Sequence, residues 1–206
     1  MTNTSTNKYI SIETGVFGRV PVYGSLFGVA INPISLYSTC DIFDLYDGGI
    51  IDVAVLGLAE TDKYDNVNVS KINSRSTGPG GFINITQCSK KVIFIGTFTV
   101  KGFKESKLKI LEEGQIKKFK KQISQITYAS KYSKKIKQEV LYITERAVFK
   151  VNDEGLLTLT EVAPGIDIEK DIINQMEFRP IISENLKLMN PKLFISDKLN
   201  LEEKFK

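Results

Sequence analysis

Histidine is absent from the 206 residues. That absence removes Ser-His-Asp and Cys-His nucleophilic systems from this chain and takes away the commonest metal ligand. Catalysis here would have to run on carboxylate, lysine, hydroxyl or backbone groups. Cysteine is nearly as scarce. Cys40 and Cys88 stand far apart and outside any C-x-x-C spacing, which argues against a disulfide framework and against a thiolate metal site. No metal is expected. No apolar run reaches the ~20 residues that span a bilayer, and Met1 to Asn7 is polar and uncharged where a signal peptide would be basic. These absences lead to the expectation of a cytoplasmic protein with no membrane partner.

What is present fits one soluble domain. Apolar residues make up 42% and charged residues 25%, enough for a core without covalent staples. The net charge of +4 is unevenly placed. Between Lys101 and Lys137 twelve lysines face only Glu105, Glu112 and Glu113. Such a run is either the solvated face of hairpins or an attractor for a phosphate-bearing partner. Nucleic acid is not expected, because the run contains no arginine and no nucleic-acid motif accompanies it.

The periodicity predicts an open α/β arrangement. Tyr9 to Glu13 has the pattern of a short buried strand, and Val29 to Asn32 could form another. Ile34 to Leu45 has no clean period and ends in the turn composition Tyr46-Asp47-Gly48-Gly49. Ile50 to Glu60 is a near-continuous apolar run of the kind a parallel sheet covers on both faces. Val67 to Ser70 alternates as a half-exposed strand, and Lys91 to Thr99 is a further apolar strand. Beyond Gly102 hairpins are predicted: Leu108–Leu111 with Ile116–Phe119, then Val140–Val151 turning through Asn152-Asp153-Glu154-Gly155 into Leu156–Val162. Gln125–Tyr128 reads as one more strand. Asp167 is placed to cap a helix from Ile168 to about Met176, and Ile181 to Lys206 is expected to pack loosely and fray from Leu201.

Two stretches carry chemistry. Glu13 closes its predicted strand just before Gly15 and Gly18, at the strand end where α/β sheets bind ligands; a solvated end residue is the plainer reading. Gly78-Pro79-Gly80-Gly81 has three glycines in four positions, which lets successive N–H groups point into one concavity suited to an oxyanion or phosphate; standing alone, a tight turn before a helix or strand is the plainer reading.

Taken together, Ile12-Glu13-Thr14-Gly15 with Gly18, Phe43 to Gly49, Asn66 to Lys71, Gly78 to Ile85, Lys91 to Thr99, Tyr142 to Phe149 and Ala163 to Asp167 resemble the acyl-CoA:acetate/3-ketoacid CoA-transferases (family I), over nearly the whole span from Tyr9 to Phe194. The resemblance implies an α/β fold of the CoA-transferase (NagB/RpiA) type: an open sheet with helices, here incomplete, followed by antiparallel hairpins and a C-terminal helix. It implies that Glu13 is the nucleophile. In such enzymes the carboxylate attacks the acyl-CoA thioester, CoA thiolate leaves, and the thiolate returns to give a glutamyl-CoA thioester that an acceptor carboxylate then reverses. Backbone N–H groups of Gly80 and Gly81 are the candidate oxyanion donors, and Asn66 and Asn68 are candidate polar contacts or turn residues. No cofactor is implied; coenzyme A enters as a thioester substrate, together with a short-chain carboxylate.

The resemblance also implies one partial domain over residues 1–206, the later part of the family's second half. In it residues 1–7 are a polar stub, 8–100 the catalytic α/β portion and 101–206 the hairpin-rich portion. A companion half from another polypeptide, or a homo-oligomer, is the expected protein partner. The alternatives are an inactive remnant and a lysine-rich module that binds CoA or phosphate without catalysis. One departure is Ile50, where the family tends to have a third glycine.

Overall fold

The computed structural model describes residues 9–72, 74–106 and 109–194. They fall into two compact units, with residues 9–50 in the first and 51–194 in the second. The proposed polar stub and the terminal fraying lie outside the described residues.

The first unit is made of short pairings and one helix. Strands β1 (Val16–Phe17), β2 (Val20–Pro21), β3 (Ala30–Ile31) and β4 (Ser35–Leu36) precede helix α1 (Thr39–Asp47). β1 pairs with β4 and β2 with β3, both antiparallel. The strand expected over Tyr9–Glu13 is not formed. Only Ser11 makes a bridge, to Phe17, because the chain turns back at Glu13-Thr14 before a second pairing can form, and Tyr9 and Ile10 stay exposed. Helix α1 occupies part of the stretch without a clean period. Its start is set by Ser38, whose Oγ accepts the Asp41 N–H at 3.1 Å, while Ile42 and Tyr46 supply its buried face.

The second unit is built on a six-stranded mixed sheet. Its elements are β5 (Val53–Gly57), β6 (Glu60–Asp62), β7 (Val67–Asn68), β8 (Lys71–Ile72), β9 (Arg75–Ser76), α2 (Phe82–Cys88), β10 (Lys91–Ile95), β11 (Thr99–Val100), β12 (Lys104–Ser106), β13 (Lys109–Glu112), β14 (Ile116–Lys117), β15 (Phe119–Lys120), α3 (Ser130–Lys135), β16 (Glu139–Ile143), β17 (Ala147–Val151), β18 (Leu157–Val162) and β19 (Ile181–Leu188). The sheet order is β19-β18-β17-β16-β10-β5. β5, β10 and β16 run parallel, with Val55, Ile93 and Leu141 in one row. β16, β17 and β18 are antiparallel neighbours, and β19 lies parallel to β18. The fold is the mixed α/β class read from the sequence.

One face of the sheet carries the core. Ala54, Val92, Phe94, Val140 and Tyr142 pack with Phe82, Phe98, Phe119, Tyr128, Phe149, Leu159 and Ile172. The aromatic rings interlock, with Phe94 between Phe82 and Tyr142 at 5.7 and 5.1 Å and Phe119 between Phe98 and Phe149 at 4.6 and 5.1 Å. The opposite face is partly bare, with Val55 61% and Ile95 49% exposed, although the apolar run had suggested cover on both sides.

Other expectations are corrected in detail. Val67 and Asn68 are both fully buried, because β7 is sandwiched between β6 and the bridge to Tyr128. Gln125–Tyr128 forms no strand among the described residues; Tyr128 makes the bridge, and Thr127 donates its N–H to the Val67 carbonyl. The hairpin expected across Glu112–Gln115 is replaced by other pairs: β13 pairs back with the adjacent β12, while β14 pairs with β11 and β15 runs parallel to the more distant β6. Val140–Val151 is two strands, because Thr144 Oγ1 accepts the N–H groups of Arg146 and Ala147 and turns the chain. Asp167 caps Lys170 as expected, but the chain then winds through a π turn (Ile168–Ile172) and a 3-10 turn (Ile173–Gln175), so the anticipated C-terminal helix is not α-helical. The tail was expected to pack loosely, yet Ile181–Leu188 joins the sheet as β19.

Candidate active site

Glu13 sits in the first unit at the tip of a clamped turn. The Ile12 N–H donates to the Val16 carbonyl and the Gly15 N–H to the Ile12 carbonyl, both at 2.9 Å. Three ties fix this turn to its surroundings. Thr14 Oγ1 donates to the Gly28 carbonyl at 2.5 Å, the Tyr37 N–H donates to the Gly15 carbonyl at 2.9 Å, and Tyr46 OH from α1 donates to Ser11 Oγ at 3.0 Å. Gly15 has φ +99°, and a Cβ on it would lie 2.0 Å from the Tyr37 carbonyl oxygen, so no other residue fits. The Glu13 side chain itself is exposed, with no ion pair or side-chain hydrogen bond among the described residues. A rigid turn thus presents an uncommitted carboxylate.

Asn66, Gly80 and Gly81 belong to the second unit. Phe82 at the start of α2 stacks on Phe94 near the end of β10, while Gln138, just before β16, donates to the Thr86 and Ser89 carbonyls at the other end of the helix. α2 therefore runs antiparallel to β10 and β16, and Gly80-Gly81 stands at the carboxyl ends of the parallel strands. Open α/β sheets bind ligands at that edge. Gly80 is exposed at φ +53°, Gly81 is buried at the N-cap of α2, and neither N–H donates to a backbone carbonyl among the described residues.

Asn66 is more committed. Its Nδ2 donates to Asp62 Oδ2 at 3.0 Å, its Oδ1 accepts the Ser130 N–H at 3.2 Å, and its own N–H donates to Asp62 Oδ1 at 3.0 Å. One amide hydrogen is left over for a ligand. Asn68 is fully buried, donating to Glu60 and to the Lys71 carbonyl.

The carboxyl edge also holds charged groups that sequence reasoning passed over. Leu58 N–H to the Ile95 carbonyl (2.9 Å) and Gly96 N–H to the Ile143 carbonyl (3.2 Å) continue the parallel ladder past the strand ends, bringing Leu58, Gly96 and Thr144-Glu145-Arg146 to one border. Arg146 is fully buried. Its guanidinium makes a fork with Glu113 at 2.7 and 3.1 Å, donates from Nε to Glu145 at 2.6 Å and reaches the Asp171 carbonyl at 2.9 Å. Phe98 and Phe103 lie against it at 4.9 and 5.1 Å. Burial alone would raise the Glu113 carboxyl, but hydrogen bonds from Arg146 and Thr99 outweigh it and hold Glu113 below the usual carboxylate value.

Asp65 is a second buried acid. It accepts a hydrogen bond from Tyr142 OH, while its other oxygen has no partner among the described residues. Burial pushes its carboxyl well above the ordinary range, against the Tyr142 hydrogen bond, and nearby Asp62 adds to the rise. Among the described residues, four lysines of the run are engaged within the protein. Lys104 pairs with Glu112, Lys120 with Glu177, Lys117 donates to the Asn174 carbonyl and Lys134 to the Glu154 carbonyl.

No protein-family model matches the chain. The sequence is 48% identical over 193 residues to caffeate CoA-transferase of Acetobacterium woodii, a match covering 90% of this chain and 37% of that protein. It is 43% identical over 190 residues to acetate CoA-transferase YdiF of Escherichia coli K12, covering 90% of this chain and 36% of that one. Among solved structures, the thioester complex with CoA of the acyl-CoA transferase YdiF from E. coli O157:H7 superposes with a TM-score of 0.83 at 40% identity, over 91% of this chain and 36% of the other. The chain thus spans a little over a third of the length of these relatives. Over that third, in sequence and in fold, it belongs to the family I CoA-transferases.

Proposed function

We propose that the chain is the nucleophile-bearing part of an acyl-CoA:carboxylate CoA-transferase, with Glu13 as the attacking residue. The observation that carries the reading is the 40% identity, over 91% of the chain, to an acyl-CoA transferase solved as a thioester complex with CoA. The Glu13 turn supports it, since its backbone holds the carboxylate in place and the side chain makes no ion pair or hydrogen bond among the described residues.

The chemistry is that of a carboxylate acting alone. A Glu13 oxygen attacks the thioester carbonyl, the C–S bond breaks and CoA leaves as thiolate, giving a mixed anhydride. The thiolate attacks the Glu13 carbonyl and expels the donor acid, so that CoA is held on Glu13 as a thioester. An acceptor carboxylate then runs both steps in reverse. No proton needs to be shuttled, which suits a chain without histidine. Each tetrahedral stage places charge on oxygen, and the N–H groups of Gly80 and Gly81 are the donors we assign to it; such a donor typically contributes about 3 kcal/mol. Asn66 holds its loop and offers one hydrogen at most.

The reaction needs no cofactor, because the energy of the donor thioester is conserved in the product. The substrates are an acyl-CoA and a short-chain carboxylate. Because this chain corresponds to a little over a third of its relatives, we assign the rest of the pocket to further CoA-transferase sequence, with a companion half or a second copy as the protein partner. We place the reaction in the cytoplasm, where Cys40 and Cys88 would remain thiols. A lysine-rich binding module without catalysis is not favoured.

The test is acyl-CoA incubation of the chain, alone and combined with complementing CoA-transferase sequence, with peptide mass spectrometry as the readout. The complemented chain is expected to carry CoA on the Glu13 peptide, and Glu13→Ala to abolish the adduct. The chain alone is expected to show little or no turnover. An adduct that survives Glu13→Ala overturns the assignment of the nucleophile, and brisk turnover by the chain alone overturns the need for a complement.

A further inference from the structure

Lys118 is the one member of the lysine run that is buried among the described residues, at 7% exposure. It lies between β14 and β15, where its own carbonyl accepts the Thr61 N–H at 2.9 Å. Its side chain reaches the carboxyl edge of the parallel strands. Nζ lies 3.1 Å from the point a Cβ on Gly96 would occupy, beside Leu58. Gly96 comes directly after β10 and Leu58 directly after β5, so the amine stands over the ends of two adjacent parallel strands. Glycine at 96 leaves the room, since any side chain there would press on the amine.

No hydrogen bond or ion pair reaches Lys118 Nζ among the described residues. The nearest carboxylate influence is Glu145, but both of its oxygens are taken, one by Arg146 Nε at 2.6 Å and one by the Phe98 N–H at 2.8 Å. Burial lowers the tendency of this lysine to hold its proton, and the attraction of Glu145 only partly offsets that. A partly desolvated ammonium whose nearest carboxylate is already engaged elsewhere is poorly compensated, and an anion arriving at it would be bound more tightly than by a lysine in water.

We propose that Lys118 is an anion-binding residue of the carboxyl-edge loops and that its ligand is the carboxylate of a short-chain acid. This rests on the CoA-transferase reading for the identity of the acid. The match is one of charge and hydration. One buried lysine supplies a single unpaired positive charge, since nearby Arg146 is already paired with Glu113 and Glu145, and a monovalent carboxylate neutralises it. A CoA phosphate carries more charge and more water, and suits exposed lysines such as Lys101, Lys121, Lys131 and Lys135.

Lys118, Gly96, Leu58 and Glu145 all lie in one unit of this chain, so the full chain is titrated with 13C-acetate and monitored by NMR, with Lys118→Met beside it. Saturable acetate binding is expected in the wild type and not in Lys118→Met, whose circular dichroism and melting should match the wild type. Acetate at ten times its dissociation constant should also slow reductive methylation of Lys118 about tenfold, leaving Lys101 and Lys121 unchanged, while 3′,5′-ADP at equal ionic strength should not. Absence of saturable binding in the wild type, its survival in Lys118→Met, or protection of Lys118 by 3′,5′-ADP in place of acetate overturns the proposal. The Glu13 adduct is read separately. Adduct formation without Lys118-dependent acetate binding removes only this inference, and acetate binding through Lys118 without any adduct removes only the transferase reading.

Discussion

Arg146→Ala should be among the most damaging single substitutions in the second unit. The side chain is fully buried and joins Glu113, Glu145 and the Asp171 carbonyl, which come from the β13–β14 connection, the β16–β17 turn and the segment after Asp167. Removing one partner of a buried ionic cluster leaves uncompensated charge and typically costs about 3–5 kcal/mol. Loss of the contacts with Phe98 and Phe103 adds roughly 0.5–2 kcal/mol. Against a total stability of about 5–15 kcal/mol, this is a large fraction. With a urea m-value of about 2 kcal/mol/M, the midpoint should fall by roughly 2 M. The pH dependence gives a second check. Glu113 titrates below its unfolded value, so its contribution is present above that value and is lost as pH falls through the folded one. In Arg146→Ala the Glu113 carboxylate loses the Arg146 hydrogen bonds that help hold it below the usual value, and the gap to wild type should narrow on acidification. Triple replacement with Glu113→Gln, Glu145→Gln and Arg146→Met should recover much of the loss, because the charges leave together. Urea unfolding monitored by circular dichroism between pH 4 and 8 measures all of this. A midpoint shift under about 0.5 M, or a gap that widens in acid, would refute the reasoning.

Asp65→Asn is expected to raise stability near neutral pH by on the order of 1 kcal/mol. The folded state raises this carboxyl, so the wild type keeps its full stability below the unfolded value and loses it as pH rises through the folded one, whereas asparagine does not titrate. Asn also tolerates the φ of +66° at this position, and urea midpoints that show no gain over wild type as pH rises would contradict this. Gly15→Ala should cost more than about 1 kcal/mol, since the φ of +99° and the Tyr37 carbonyl both oppose a Cβ. Faster amide exchange in peptides covering Ser11–Tyr46 and loss of the Glu13 adduct are the expected readouts; wild-type protection would show that the turn is not held as described.

Local chemistry made much of this protein legible in one dimension. The apolar run from Lys91, the Asn152–Gly155 turn and the Asp167 cap are short-range features, and the structure places a strand, a hairpin and a capped turn there. The same holds for the glycine-rich approach to α2 and for the absence of histidine, which restricted the chemistry before any fold was known. Long-range pairing was not legible. Leu108–Leu111 and Ile116–Phe119 look like one hairpin, but β13, β14 and β15 find their partners in β12, β11 and β6. Glu13 looked like the end of a strand and is the tip of a turn, because Gly28, Tyr37 and Tyr46 hold it from distant positions. Arg146, Asp65 and Lys118 read as ordinary charges in polar stretches; their burial depends on neighbours brought in by β10, β13 and β16, and no pattern of spacing along the chain encodes it. Residue type and local turn chemistry decide which reactions are open to a chain, while the desolvation that gives a charge its strength is a property of the packed molecule alone.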